Sequence, residues 1–480
     1  MAAPNSLRCL ARPSTTNAAS ASLLTLSFAG LRIAAPFSTT AAQGANPSPK
    51  KSLNREPTAP YRAGKMLKIG KFKKNKVIER GKAPLPGERK AYRKKIVLSN
   101  DNALPVRWVK ELAPGTLQDP QNVGKIVALP DFLQDQLRTT EAFQPSQSWK
   151  MFRTPSVLVR NETVEMVNKM ESAVGAKKTL RLVVAGEKVA GKSLLLLQAQ
   201  AHAYLNNWIV IHVPDAQELT TACTEYAPIP DTKPVQYMQQ NYVLKLLQAI
   251  KKANEKVLAK ITTVSSHPEL PQNIPVNSPL LALINAAKEA EGAWSVFQAL
   301  WQELTAQDAN RPPILFTLDG LAHIMRISDY RSPAFELIHS HDLSFVRTFV
   351  EALQGNAKFP NGGAVIAATS RSNAPRSPSM ELAISQRLAE QEKKPAEETP
   401  KSNPYLRGYD ARVENSLKNV EVLKLKGVSR PEARSIMEYW AASGLLRATV
   451  DEHQVSEKWT LSGGGILGEM ERTALLTMRI

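Results

Sequence analysis

One short segment constrains the fold of this chain more than any other feature. Residues 186–193 fit the phosphate-binding pattern G-x-x-x-x-G-K-[ST] without a mismatch. An apolar, β-branched run at 180–185 precedes this glycine loop, and a run of good helix formers at 194–201 follows it. Such a strand, loop and helix N-terminus suit a polyphosphate, because backbone N–H groups and the helix dipole favour negative charge. The predicted nucleotide-binding residues are Gly186, Glu187, Lys188, Val189, Ala190, Gly191, Lys192 and Ser193.

The same pattern assigns a cation and a metal ligand to the loop. Lys192 would reach the β- and γ-phosphates, and the Ser193 hydroxyl would bind Mg²⁺. A second acid, at the end of a neighbouring apolar strand, would hold the metal through water. Asp319 fits this role because it follows the apolar run 314–318. Asp215 also ends an apolar run and competes for the role, but it follows a proline and is typical of a turn or N-cap residue.

The sequence around the predicted acid does not favour rapid hydrolysis. Asp319 is followed by Gly320, whereas hydrolytic ATPases with this loop generally place a glutamate there to activate water. His323 and Glu187 are substitutes for that base only by their proximity in sequence. We therefore predict a site that binds nucleotide and turns it over slowly or not at all, and we assign no catalytic residue.

The γ-phosphate sensor and the base-reading residues are less constrained. Thr369 and Ser370 end a further predicted strand and are candidate sensors, although a Thr-Ser pair is also ordinary turn chemistry. Guanine-selective G-domains read the base with N-K-x-D after a late strand. The comparable segment at 168–171 reads N-K-M-E and precedes the glycine loop. The site is therefore not that of an ordinary small GTPase.

The order of the predicted elements indicates an α/β fold. Apolar strand-like runs alternate with helical segments, which is typical of a parallel sheet with helices on both faces. We predict a nucleotide-binding domain with an N-terminal lead-in over residues 106–373. A stretch rich in Pro, Glu, Lys and Ser predicts a loop or insertion over 374–411. A small, mainly helical, lid-like domain would follow over 412–480, with a strand at 420–425 and a helix capped by the Ser429–Glu432 capping box.

Positive charge is concentrated near the N-terminus. The chain has a formal net charge of +19, and residues 50–95 alone hold 17 Lys and Arg against three acids. We predict a disordered or extended basic arm over 43–105 that neutralises RNA phosphates. A solvated linker and an anionic membrane surface are the alternatives. The cations assigned to RNA binding are Lys71, Lys73, Lys74 and Lys76.

The first residues have the composition of a mitochondrial transit peptide. Residues 1–42 are rich in Ala, Ser and Thr, contain scattered arginines and lack acids. A secretory signal is the competing interpretation, but its charges would cluster ahead of an apolar core. We expect cleavage between residues 32 and 42 and no transmembrane segment. Cys9 and Cys223 cannot form a disulfide framework, and Cys223 is expected to be a buried small side chain.

Several segments together resemble the death-associated protein three family, a mitochondrion-specific component of the small ribosomal subunit. The resemblance is carried by residues 156–160, the glycine loop, W-I-V-I-H-V-P-D-A at 208–216, L-D-G at 318–320 and G-G-A-V at 362–365. It implies an AAA-like P-loop NTPase fold with bound GTP or GDP and Mg²⁺, with ATP as the alternative. It also implies a place in the mitochondrial matrix, with contacts to small-subunit rRNA, to neighbouring ribosomal proteins and to the large subunit.

Two functions therefore follow from the sequence. The first is a structural ribosomal protein that holds a guanine nucleotide and supports mitochondrial translation. The second is an active mitochondrial P-loop NTPase, either an ATPase or a GTPase, with a regulatory or remodelling role. The absence of an evident general base favours the first.

Overall fold

A five-stranded parallel sheet forms the centre of the described chain. The computed structural model describes residues 96–307, 311–371, 374–395, 398–406 and 408–476. The predicted transit peptide and residues 43–95 of the predicted arm lie outside the described residues. The RNA-binding prediction for Lys71, Lys73, Lys74 and Lys76 therefore remains a prediction from sequence.

Short strands form small sheets around the central one. The strands of the described residues are β1 (Lys110–Glu111), β2 (Ile126–Ala128), β3 (Ser156–Leu158), β4 (Thr179–Gly186), β5 (Ile209–Val213), β6 (Ala227–Ile229), β7 (Gln236–Met238), β8 (Ile314–Asp319), β9 (Ile327–Arg331), β10 (Leu337–His339), β11 (Gly363–Ala368) and β12 (Glu421–Leu425). The central sheet has the order β12-β4-β11-β8-β5, β1 to β3 form a separate sheet before it, and β6-β7 and β9-β10 are two-stranded.

Helices cover both faces of the central sheet. The helices of the described residues are α1 (Asp131–Thr139), α2 (Asn161–Gly175), α3 (Lys192–Leu205), α4 (Ala216–Thr220), α5 (Gln240–Ala253), α6 (Glu255–Leu258), α7 (Leu280–Asn285), α8 (Ala293–Leu304), α9 (Ser344–Gln354), α10 (Pro378–Gln391), α11 (Ala411–Ser416), α12 (Arg430–Ala442), α13 (Glu452–Leu461) and α14 (Leu467–Glu471). None of them is long and apolar enough to cross a membrane.

Alternate residues of each central strand enter different cores, as the two-residue period of a strand requires. Val183 and Val365 pack on the side of α5, α8 and α9. Leu182 and Ile366 pack on the opposite side, against α1, α2 and α3. Strands β4, β8 and β11 are buried on both faces, which explains their nearly continuous apolar sequences. The prediction of a parallel sheet between two helical layers is confirmed.

A third core joins the C-terminal helices to the lead-in, which is the segment from residue 106 to the start of β4. Ile436 and Trp440 of α12 pack with Ile126 and Met151, and the ring of Tyr439 stacks on Phe152 at 5.2 Å. The predicted capping box at the start of α12 is formed, with Ser429 and Glu432 bonded to each other's backbone. The C-terminal helices therefore pack on residues that come before the glycine loop in the sequence.

Three local expectations differ from the structure. The strand predicted to open the C-terminal domain is β12, and it pairs with β4 in the central sheet, because Val422, Leu423 and Leu425 are buried there. The interval 374–411, predicted as a loop, contains α10, whose N-cap Ser377 accepts a hydrogen bond from the backbone of Met380. Cys223 is exposed rather than buried.

Gly363 offers a test of the packing between central strands. A Cβ there would lie 2.2 Å from the Ile314 backbone oxygen, and its φ is +149°. Gly363→Ala should lower the free energy of unfolding by about 3 kcal/mol in a urea titration. Gly175→Ala is the control, because nothing lies within 4 Å of its Cβ position in α2. Equal stabilities of the two variants would contradict the packing described here.

Candidate functional site

The glycine loop connects β4 to α3 and needs glycine at both ends. A Cβ on Gly186 would lie 2.8 Å from the Leu425 backbone oxygen, because β12 pairs with β4 up to this residue. Gly191 is the N-cap of α3 and has a φ of 100°, a left-handed conformation that glycine adopts readily. No side chain caps α3, so the amides of its first turn are left for another acceptor.

Lys192 is held inside the loop by main-chain oxygens. Its Nζ donates to the carbonyl oxygens of Gly186 (3.1 Å) and Glu187 (2.6 Å). Burial lowers the pKa of Lys192, and the nearby positive charge of Arg371 lowers it further, while Asp319 opposes the shift. The ammonium is thus poorly solvated, and an added anion at the loop would stabilise its charge.

Ser193 and Asp319 meet across the end of the central sheet. Asp319 ends β8, and the Ser193 side chain lies close enough to its carboxylate to lower the pKa of that group. Burial nevertheless raises the pKa of Asp319 to about 6. The pairing predicted for a metal site is therefore present in the structure. Because the described residues contain no group of three His, Cys, Asp or Glu suited to a metal, a cation here would need phosphate and water as further ligands.

The polar residues after β11 lie beside this pair. Ala368 is in register with Asp319, so Thr369 and Ser370 emerge next to the carboxylate. The Thr369 hydroxyl donates to the Val184 backbone oxygen at 3.2 Å, which turns it toward β4. Arg371, which the sequence analysis did not single out, forms an exposed ion pair with Glu187 of the loop at 3.3 Å. The roles of Thr369 and Ser370 as phosphate sensors stay predictions.

A buried guanidinium ties the loop to two other segments. Arg160, only 6% exposed, donates to the backbone oxygens of Ala190 in the loop (3.0 Å) and Lys426 after β12 (2.6 Å). It also pairs with Glu162 at 3.3 Å, and Glu162 in turn accepts a hydrogen bond from the Lys426 backbone. The loop, the start of α2 and the end of β12 thus share one charged centre.

The C-terminal segment contacts the loop directly. The Gly468 backbone N–H donates to the Val189 oxygen at 3.0 Å. The approach is close enough that a Cβ on Gly468 would lie 2.7 Å from the Val189 Cβ. Leu467 lies 3.6 Å from the Cβ position of Gly191. Helix α14 therefore closes over the glycine loop.

These elements enclose a cavity of about 300 Å³, within the size range of small-molecule sites. Its polar end contains loop residues 189–193, Asp319 and Arg371. Its apolar part runs between the lead-in and the C-terminal helices, with Trp149, Phe152 and Tyr439 among its walls. Asp319 and Glu471 are the carboxylates among the described residues that line it.

The alternative candidates for the metal ligand, the general base and the base-reading residue have structural roles or lie outside the cavity lining. Asp215 caps α4, because its carboxylate accepts from the Gln217 backbone at 2.9 Å. His323 is buried, its Nδ1 has no partner among the described residues, and burial lowers its pKa. It is absent from the lining of the cavity, as is Glu187, which pairs with Arg371. Glu171 of the N-K-M-E segment binds His202 at 2.6 Å within the helical layer.

A family model and several known proteins are similar to this chain. A family model described as "Mitochondrial ribosomal death-associated protein 3" matches residues 157–473. A relative named "Small ribosomal subunit protein mS29" from Neurospora crassa is 56% identical over 480 residues, which is 100% of both chains. A protein of the same name from Mus musculus is 23% identical over 46% of this chain and 56% of its own length. The Bos taurus protein is 27% identical over 23% of this chain and 28% of its own.

The buried carboxylate of Asp319 makes stability depend on pH. Its raised pKa means that the folded chain holds this proton more tightly than the unfolded chain. The resulting stabilisation is complete below the unfolded pKa of about 4 and is lost as pH rises through about 6. With Mg²⁺ and nucleotide removed, the free energy of unfolding of Asp319→Asn should exceed that of the wild type by about 2 kcal/mol at pH 8. The two free energies should be equal near pH 4.

Urea titrations across this pH range measure the difference. Asp329→Asn serves as the control, since its side chain is 54% exposed and its ion pair with Arg326 is long, at 3.7 Å. If Asp319→Asn stabilised the chain equally at both pH values, the raised pKa assigned to Asp319 would be contradicted.

Proposed function

Because the chain belongs to the mitochondrial ribosomal death-associated protein 3 family, we propose that it is a structural component of the small subunit of the mitochondrial ribosome. The observation that carries this proposal is the full-length match, at 56% identity, to a protein named as a small ribosomal subunit protein. Its place is then the mitochondrial matrix, in contact with rRNA and neighbouring ribosomal proteins. Contacts with the large subunit belong to the same proposal.

We further propose that the cavity holds a purine nucleotide with Mg²⁺, in the manner of a P-loop NTPase. The residues fit such a ligand: the first turn of α3 has uncapped amides, Lys192 is a poorly solvated cation, and Ser193 lies against Asp319. Amides and Lys192 would bind the phosphates, and Ser193 with Asp319 would hold the metal. The metal supplies charge neutralisation of the phosphates. GTP or GDP is the proposed ligand, with ATP as the alternative.

The same cavity supports slow or absent hydrolysis. Of its two carboxylates, Asp319 lies beside Ser193 at the proposed metal position, and Glu471 lies on the C-terminal helix α14. No histidine is among the described residues that line it. A general base must lie within hydrogen-bond reach of the attacking water, and the lining residues 189–193 and 369–371, which surround the proposed phosphate position, include no carboxylate or imidazole.

We therefore propose that the nucleotide is a structural ligand. The lead-in, the glycine loop and the C-terminal helices all contribute to the walls of one cavity. A ligand that fills this cavity stabilises only the arrangement in which the three segments are together, by mass action on the folded state. The surfaces that the segments present to a neighbouring subunit would then be held in place.

Hydrolysis and assembly assays separate this proposal from an active NTPase. The wild-type protein should co-sediment with the mitochondrial small subunit at moderate salt and show single-turnover hydrolysis no faster than buffer. A protein found quantitatively free of ribosomes would contradict the ribosomal role. Hydrolysis that disappears in Lys192→Ala would establish the active enzyme instead.

Binding of nucleotide has its own prediction. Lys192→Ala should weaken the affinity for a nucleoside diphosphate by about 10- to 100-fold, because a charge-assisted contact to phosphate is lost. Lys178→Ala is the matched control, since Lys178 carries the same charge but is exposed and lies just before β4, at the end of the strand opposite to the loop. Isothermal titration measures both, and equal effects of the two substitutions would contradict the assigned role of Lys192.

The basic arm predicts a salt-dependent contribution to assembly. Changing Lys71, Lys73, Lys74 and Lys76 to Glu should weaken incorporation into the small subunit and reduce the salt dependence of RNA binding, because each lost phosphate contact removes about one released counterion. Quantitative incorporation as a function of salt measures this effect. Unchanged incorporation would show that these charges do not contact RNA.

A further inference from the structure

The cavity has a second charged feature that phosphate binding does not use. Glu471 lies at the end of α14, three residues after Gly468, which contacts the glycine loop. Ser148 of the lead-in lies close enough to its side chain to oppose the rise in the pKa of the carboxyl that burial causes. Its Oε1 atom is buried and has no partner in the part of the chain that the structure describes. Both residues line the cavity.

A buried carboxylate oxygen without a hydrogen-bond donor destabilises the folded chain. Burial raises the pKa of Glu471, which shows that its charge is poorly solvated. A buried acceptor without a donor costs about 1–3 kcal/mol, and more when it is charged. Apolar lining residues of the cavity, such as Leu467 and Trp440, have no donor directed at this oxygen that the structure records. A ligand that brings N–H donors to this oxygen would remove the cost.

Electrostatics determines how a nucleotide can lie in this cavity. Phosphates are attracted to Lys192 and Arg371 and repelled by the Glu471 carboxylate. The base is flat and apolar on both faces, and the wall between the lead-in and α12 is aromatic, with Phe152 stacked on Tyr439 at 5.2 Å. The nucleotide is thus expected to place its phosphates at the loop and its base between the lead-in and the C-terminal helices.

We propose that Glu471, positioned by Ser148, is the residue that selects guanine, by accepting hydrogen bonds from the ring N1–H and the exocyclic amino group of the base. A carboxylate matches these two adjacent donors. Adenine presents one donor and one acceptor along the corresponding edge, and its ring nitrogen would face a negative oxygen. This inference rests on the proposed nucleotide site and assigns the base reading that the missing N-K-x-D motif leaves open.

Paired ligands and variants test the contact. GDP carries both donors, IDP keeps N1–H but lacks the amino group, and ADP lacks the pair. The wild-type chain should bind GDP about 10-fold more tightly than IDP and about 100-fold more tightly than ADP, as expected for one and two contacts to a charged group. In Glu471→Gln the ratio of the affinity for GDP to the affinity for IDP should fall to about 3 or below.

Two further variants control for a nearby carboxylate and test the role of Ser148. Glu469→Gln, which changes a partly exposed carboxylate paired with Arg472 at 3.5 Å, should retain the wild-type ratios. Ser148→Ala should lower the GDP-to-IDP ratio less than Glu471→Gln does, because it removes only the group that orients the carboxylate. Fluorescence or calorimetric titration with the full chain measures all of these dissociation constants.

Each outcome decides the proposal. A GDP-to-IDP affinity ratio that is lost in Glu471→Gln and retained in Glu469→Gln supports it. Equal weakening of GDP, IDP and ADP would overturn it and place the carboxylate at the ribose hydroxyls. A wild-type chain that binds ADP as tightly as GDP would also overturn it, while leaving the proposed nucleotide site intact. A chain that binds none of the three overturns the nucleotide site and this inference together.

Discussion

The buried guanidinium of Arg160 is the interaction on which the candidate site depends. It joins the Ala190 carbonyl of the glycine loop to the backbone of Lys426 after β12, and Glu162 balances its charge. A charged group this deeply buried is stable only when it is paired and hydrogen-bonded. The three segments are far apart in sequence, so the bonds of Arg160 fix where the loop lies relative to the C-terminal helices. Removing one partner would leave the others with unpaired polar groups.

The positive and the negative side chain at the glycine loop, Lys192 and Asp319, are both poorly solvated. Burial lowers the pKa of Lys192 and raises the pKa of Asp319, so each is held where its charged form is poorly solvated. A phosphate at the loop and a metal ion beside Ser193 would supply the missing partners. Glu471, which lines the same cavity, is also buried and poorly solvated, but its oxygen needs a donor rather than an anion. These requirements are those of a molecule with anionic groups and N–H donors, as in the guanine nucleotide that we propose.

Local sequence predicted the features that depend on local chemistry. The parallel sheet, its two helical layers, the convergence of Ser193 with Asp319 and the N-cap role of Asp215 follow from apolar runs, strand ends and cap residues. The pairing of β12 with β4 was missed, because strand order is set by long-range packing. Gly468 and Glu471 carry no local motif and reach the cavity only through the fold, whereas Arg371 was detectable from its position just after the predicted strand end.

We propose that phosphate binding at the glycine loop holds a nucleotide as a resident part of this protein. This is tested by the amount and identity of nucleotide released when the protein, isolated with native mitochondrial small subunits, is denatured in acid and analysed by chromatography. We expect about one guanine nucleotide for each copy of the chain. Release of no purine nucleotide from intact particles would contradict it.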